Sequence, residues 1–173
     1  MHQYFDGNLK ASEGYVQEPP GTAALIVNSH GEYLLHLRDN IPNICDPGTW
    51  SLLGGGREGK ESPEAAIARE LKEEAGLVLP ELKRYTVVSA HVPAEASDQI
   101  TVFLGRWDGD AQALPLTEGI MLHWFPATLI PRLVMCPWAN AVIEQHQREM
   151  PAESERRRFT GDGFSGVGFP VVG

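Results

Sequence analysis

The stretch from Gly55 to Leu77 puts a glycine turn directly ahead of a helix marked at both ends, and no other segment so narrows the folds open to this chain. Ser62 is an N-cap residue, Pro63 suits the first helical position, and Glu64 favours the positive end of the helix dipole. Gly76 supplies the C-terminal stop. At ~100° per residue, Glu70, Glu73 and Glu74 fall within an arc of roughly 100°. Ile67, Ala68, Leu71 and Ala75 occupy the neighbouring arc, so the helix is expected to pack on a sheet with its acidic side along the edge of the core.

Three like charges at this spacing repel by about a kilocalorie per mole or more per pair where they are partly shielded from water. Arg69 lies four residues before Glu73 and is placed to pair with it. Mg2+ or Mn2+ would relieve the remaining repulsion, because both take oxygen ligands and keep waters and positions for a phosphate-bearing substrate. Most acidic runs are solvated helix faces. The residues around this one argue for more.

The segment resembles the Nudix box of MutT-like pyrophosphohydrolases, Gly-x5-Glu-x7-Arg-Glu-U-x-Glu-Glu-x-Gly-U, with U a bulky aliphatic residue. Every specified position is met: Gly55, Glu61, Arg69, Glu70, Leu71, Glu73, Glu74, Gly76 and Leu77. With ordinary residue frequencies, chance would produce this in fewer than about one such chain in a million. One departure is Leu53, where family members often carry a proline ahead of the glycines. The resemblance implies an α/β/α sandwich on a mixed β-sheet, an α+β fold. It also implies Mg2+-dependent cleavage of a nucleoside diphosphate linked to another group: a sugar nucleotide, ADP-ribose or a (d)NTP. Gly55 (through its carbonyl), Glu70, Glu73 and Glu74 are the implied metal ligands. Arg69 and Glu61 would orient the carboxylates and the loop, and either Glu73 or Glu118 would take a proton from the attacking water.

Glu118 enters because Leu116-Thr117-Glu118-Gly119 stands just ahead of Trp124, a Glu-Gly-x4-Trp spacing at which MutT-like hydrolases place an extra glutamate. Arg38 and Arg57 are candidate phosphate contacts, since a guanidinium can pair phosphate oxygens bidentately. Pro93, beyond the box, resembles a feature of ADP-ribose pyrophosphatases and tilts the substrate expectation that way. Specificity is expected to reside in the Asp39–Thr49 and His91–Ser97 loops. A non-catalytic Nudix module that binds a nucleotide and regulates a partner is the alternative, against which the intact set of carboxylates weighs. A diphosphate isomerase would need a catalytic cysteine, and neither Cys45 nor Cys136 has a recognisable setting.

The formal net charge of −9 argues against a nucleic-acid polymer as partner, while leaving a small nucleotide open because bound cations reverse the local sign. No apolar run is long enough for a membrane span, and the polar start lacks a secretory pattern, so a cytoplasmic protein with free thiols is expected. The six histidines have no metal-ligand spacing, and Trp50, Trp107 and Trp124 are expected in the core.

Along the chain, strands are expected at Thr22–Asn28, Glu32–Arg38, Trp50–Leu53, Leu82–Val92, Gln99–Trp107 and Ile120–Phe125. A helical turn is expected near Ala127–Ile130 and a second helix over Pro137–Met150. The organisation read from this is an N-terminal extension (1–21), a hydrolase domain (22–150) and a C-terminal tail (151–173). The tail holds Arg156-Arg157-Arg158 and a glycine-rich stretch with Phe159, Phe164 and Phe169, a candidate homodimer contact.

Overall fold

The computed structural model describes residues 18–91 and 95–150. The tail arginines and phenylalanines, Pro93 and all but the last residues of the N-terminal extension lie outside them.

Apolar residues run without a break from Ala23 to Val27 in β1 (Gly21–Val27), which is buried on both faces and forms the middle of the sheet. It pairs in parallel with β5 (Gln99–Arg106), from Gly21 opposite Ile100 to Val27 opposite Arg106. β4 (Lys83–Ser89) lies antiparallel on the outer side of β5. On the other side, β1 meets β2 (Tyr33–Leu37) only at Val27 and Tyr33. β2 in turn pairs antiparallel with β3 (Trp50–Ser51) and with β6 (Met121–Phe125). The sheet is therefore mixed, as the sequence implied, although several strands end a residue or two inside the expected limits.

The strand expected to reach Leu53 stops at Ser51, and the chain then runs beside β1 in single bridges, Leu53 to Ala24 and Gly56 to Gly21. Gly54 is forced there: its φ is +143°, and a Cβ would lie 2.3 Å from the Thr22 carbonyl oxygen. The glycine turn is thus sewn to the central strand.

Two helices cover the sheet. Alternate residues of β1 face opposite ways: Ala24 and Ile26 pack with Ile67, Leu71 and Ala75 of α1 (Pro63–Ala75), and Ala23, Leu25 and Val27 with Ala139, Val142 and Ile143 of α2 (Pro137–Glu149). The caps of α1 are those expected: Ser62 Oγ accepts the Ala65 N–H at 3.2 Å, and Gly76 adopts the left-handed conformation. Ala68, however, is exposed, and Ala66, on the other edge of the apolar arc, is buried in its place. The expected turn at 127–130 falls slightly later, as a 3-10 turn over Ile130–Arg132, and two further 3-10 turns, Ala96–Asp98 and Ala111–Ala113, were not foreseen. Trp50 packs against the α2-side cluster, and Trp107 stacks on Trp124 at 5.8 Å. Both cysteines are free, Cys45 exposed and Cys136 buried with its thiol donating to Asp46 Oδ2 at 3.2 Å. No helix among the described residues is long and apolar enough to cross a membrane.

Candidate active site

α1 carries its acidic residues past the glycine turn, and the structure sorts them into two groups. The first is organised by Arg69, whose guanidinium donates to Glu61 through Nε (3.1 Å) and to Glu70 (2.9 Å) and Glu73 (3.1 Å) through Nη1, while Nη2 reaches the Gly56 carbonyl at 2.8 Å. The expected Arg69–Glu73 pair is present, as one arm of this larger array. Glu61 also accepts the Glu58 N–H, so it ties the loop to the helix, and hydrogen bonding to Arg69 holds its carboxyl below the usual range. Glu73 is well exposed at the rim, while Glu70 is largely covered.

The second group centres on Glu74. Expected along the edge of the core, its side chain goes deeper and is buried, only 7% exposed, with Oε2 accepting the Gly54 N–H at 3.2 Å. Burial pushes its carboxyl up to about 7; the Gly54 N–H opposes this, the nearby Glu118 and Glu70 charges add to it, and Arg38 partly offsets them. Glu70, Glu74, Glu118 and Arg38 therefore share one electrostatic neighbourhood. Glu118 is brought there by its loop: the Thr117 N–H donates to the Glu74 carbonyl (2.9 Å) and Thr117 Oγ1 to the Glu73 carbonyl (2.7 Å).

Two of the expected roles change. The Gly55 carbonyl, expected to face a metal ion, accepts both the Thr22 N–H (2.8 Å) and the Thr22 hydroxyl (3.1 Å), which engages both its lone pairs. What Gly55 contributes is close approach, because a Cβ there would lie 2.5 Å from the Glu70 carboxyl carbon. Arg57 is likewise committed: Nε and Nη2 donate to the Glu61 carbonyl and Nη1 to the carbonyls of Glu18 and Pro19. It fastens the glycine loop to the chain entering β1 and is not placed for phosphate. Arg38 is held at Nε by the Cys45 carbonyl (2.9 Å), which aligns it within the Asp39–Thr49 loop and leaves its outer nitrogens unbonded among the described residues.

As the side chains stand, no group of three His, Cys, Asp or Glu among the described residues converges closely enough to hold a metal ion. The reason is visible in the first group, where Arg69 draws Glu70 and Glu73 toward itself. The donor set nonetheless fits a hard divalent cation in kind. It is all oxygen, and it includes a buried carboxylate whose like-charged neighbours a cation would balance.

Sequence reasoning missed the Gly54 amide, the Thr117 tether, Asp39 (whose Oδ2 accepts the Gly119 N–H at 3.2 Å) and the buried His36. His36 shares a strand face with Arg38 by simple alternation, a signal that was available. Thr117 and Asp39 act through the backbone of distant segments, and nothing local announces them. Beside Gly56 a shallow groove of about 270 Å3 includes His91 and Ser97, so the second of the two expected specificity loops adjoins the glycine turn.

A family model described as NUDIX domain matches residues 17–146. A Mycobacterium tuberculosis protein named "Putative 8-oxo-dGTP diphosphatase 3" is 52% identical over 108 residues, 61% of this chain and 49% of that protein. An Arabidopsis thaliana protein named "Nudix hydrolase 25" is 30% identical over 96 residues, 54% of this chain and 52% of that one. The chain thus spans about half the length of the curated relatives it matches. Among solved structures, a MutT NUDIX hydrolase from Burkholderia pseudomallei superposes with a TM-score of 0.59 at 27% identity, over 75% of this chain and 98% of that one.

Proposed function

The chain belongs to the NUDIX domain family, and on that footing we propose that it is a divalent-cation-dependent pyrophosphohydrolase. Its substrate is a nucleoside diphosphate carrying a further group, and its products are a nucleoside monophosphate and the phosphorylated remainder. Within that class, nucleoside triphosphates with oxidised purines come first, a choice supported by the 52% identity to the M. tuberculosis protein.

The observation that carries the reading is the burial of Glu74 beside Glu70 and Glu118. A fold gains nothing by sinking a carboxyl among other acids unless something cationic is to join them. Glu70, Glu74 and Glu118 would hold a Mg2+ or Mn2+ ion, with Glu73 at the rim. The ion supplies positive charge against a diphosphate whose bridging bond is breaking.

The chain's own groups do the rest. Arg38 presents its outer guanidinium nitrogens to the phosphate oxygens. Arg69 holds Glu70 and Glu73 and, through Gly56 and Glu61, fixes the glycine loop against the helix. Water attacks one phosphorus in line; the new P–O bond forms as the bridging P–O bond breaks, and the bridging oxygen leaves with the departing group. The proton lost by the water passes to Glu118 or Glu73, both exposed to solvent.

The test is a screen of dNTPs, 8-oxo-dGTP, ADP-ribose and sugar nucleotides with Mg2+ or Mn2+, against a chelator control, reading phosphate products. Monophosphate and pyrophosphate released from a triphosphate, and no turnover in chelator, are expected. Turnover that persists in chelator, or nucleotide binding with no hydrolysis of any of them, would overturn the proposal.

A further inference from the structure

We propose that His36 is a positioning residue for Glu118: its ring, pressed against the Glu118–Gly119 peptide, fixes where the Glu118 carboxylate stands relative to Glu74. The proposal rests on the reading above that Glu118 belongs to the site.

His36 is the next-to-last residue of β2, paired on one side with Ser51 of β3 and on the other with Leu122 of β6. By alternation it shares a face with Leu34, which packs in the α1-side cluster, and with Arg38. It is 4% exposed, and its Nε2 makes no hydrogen bond, one of three such buried side-chain atoms among the described residues. An unpaired polar nitrogen in the interior costs stability, so it is seldom left without a reason.

Nε2 is aimed at a specific neighbour. A Cβ on Gly119 would lie 1.8 Å from it and 2.8 Å from the Leu37 carbonyl oxygen, and Gly119 has φ +86°. Only glycine lets the loop lie this close against the ring. The Glu118 carbonyl faces the imidazole, although no hydrogen bond of good geometry is made.

The loop is braced on both flanks as well. Thr117 bonds to the Glu73 and Glu74 carbonyls of α1, the Gly119 N–H to Asp39, and the Ile120 N–H to the Leu37 carbonyl. Two segments, the end of α1 and residues 37–39, thus fix the residues on either side of Glu118, and the ring of His36 closes the remaining direction. With a hydrogen on Nε2, the ring presents a donor to the Glu118–Gly119 peptide.

The experiment measures Mn2+ binding to the nucleotide-free protein by electron paramagnetic resonance, with thermal melting alongside. It compares His36→Leu, His36→Ala, His36→Gln and Asp39→Ala, each with Glu118 intact and with Glu118→Gln. His36→Leu is expected to weaken Mn2+ binding about 10-fold, within the range seen when a residue supporting a ligand is lost. His36→Gln, whose amide keeps an N–H donor, is expected to recover most of it. In the Glu118→Gln background, His36→Leu should add almost nothing, because the residue it positions is already disabled.

Equal losses in the two backgrounds, or unchanged Mn2+ affinity in folded His36→Leu, would overturn the proposal. Should His36→Leu not fold, His36→Ala decides by the same comparison of the two backgrounds, with Asp39→Ala reporting on the separate Gly119 brace; a His36→Ala loss independent of Glu118 would again overturn the proposal. If Glu118→Gln alone leaves Mn2+ binding at the native value, Glu118 falls from the site and the proposal falls with it.

Discussion

The two helices are alike in length and in their first-turn proline, yet each buries an ionisable group on opposite terms. On α2, His146 is buried and its Nδ1 meets the Tyr33 hydroxyl at 2.9 Å, with the rings of Tyr33 and Tyr85 edge-on at 5.7 and 5.9 Å. On α1, Glu74 is buried to the same degree, but it has one backbone N–H for company and two acidic neighbours. Burying a polar group is tolerable when its partners are complete and costly when they are not. The α2 arrangement is finished as it stands. The α1 arrangement is not, and in the function proposed above a cation would finish it.

The comparison breaks most visibly under substitution. Glu74→Gln is expected to lower kcat at least about 100-fold, roughly 2.7 kcal/mol of transition-state stabilisation, with folding unimpaired or improved because a buried charge is gone. Tyr33→Phe should do the reverse, costing about 1–2 kcal/mol in a urea denaturation while leaving kcat within about twofold. Measured together, these variants test whether function and stability are divided between the helices. Near-native turnover in Glu74→Gln would end the distinction.

A smaller effect lies in the pH dependence of stability without metal. The Glu74 carboxyl is raised from 4.5 to about 7, so its contribution is fully present below pH 4.5 and is lost as pH rises through 7. At most this is worth ~3 kcal/mol. Burial lowers the pKa of His146 and of His36, so their contribution runs the other way: present above pH 6.5 and lost as pH falls. The two oppose each other between pH 4.5 and 6.5. In chelator, Glu74→Gln should therefore be more stable than the parent at pH 8 by about 1–2 kcal/mol and should match it near pH 4.5. Equal stability at both pH values would mean that Glu74 carries no strain.

How much of this was legible in the residues follows from the same contrast. The frame of α1 could be read closely, because Ser62, Pro63 and Gly76 act within one turn of their own positions. So could the Arg69–Glu73 pair, one helical turn apart. The depth of Glu74 could not, since a helical wheel places residues round an axis but does not say how far the 117–120 loop folds over one end. The partners of Arg57 and of the Gly55 carbonyl were hidden for a related reason. A guanidinium or a carbonyl near phosphate chemistry looks available until the strand beside it is known, and here β1 and the chain entering it had taken both. Ala66 and Ala68 stand about 100° on either side of Ile67, at the two edges of the apolar arc, and periodicity alone does not say which edge the sheet covers.

The smallest expected effect concerns the helix starts. Ser62 caps α1 through its hydroxyl, whereas Cys136, at the start of α2, makes no side-chain cap and spends its thiol on Asp46. Ser62→Ala should cost about 1 kcal/mol, read as a lower urea midpoint and faster amide exchange at Ala65 and Ala66. The carboxylates sit in the second half of the helix, held by Arg69, Gly54 and Thr117 rather than by the cap. Mn2+ affinity should therefore stay within about twofold of the parent, as expected when frayed N–H groups lie more than a turn from the ligands. A loss of affinity comparable to that of Glu74→Gln would show that the start of α1 and its acidic end move as one piece. The glycine loop, clasped between Glu61 and Arg69, would then be the element that links them.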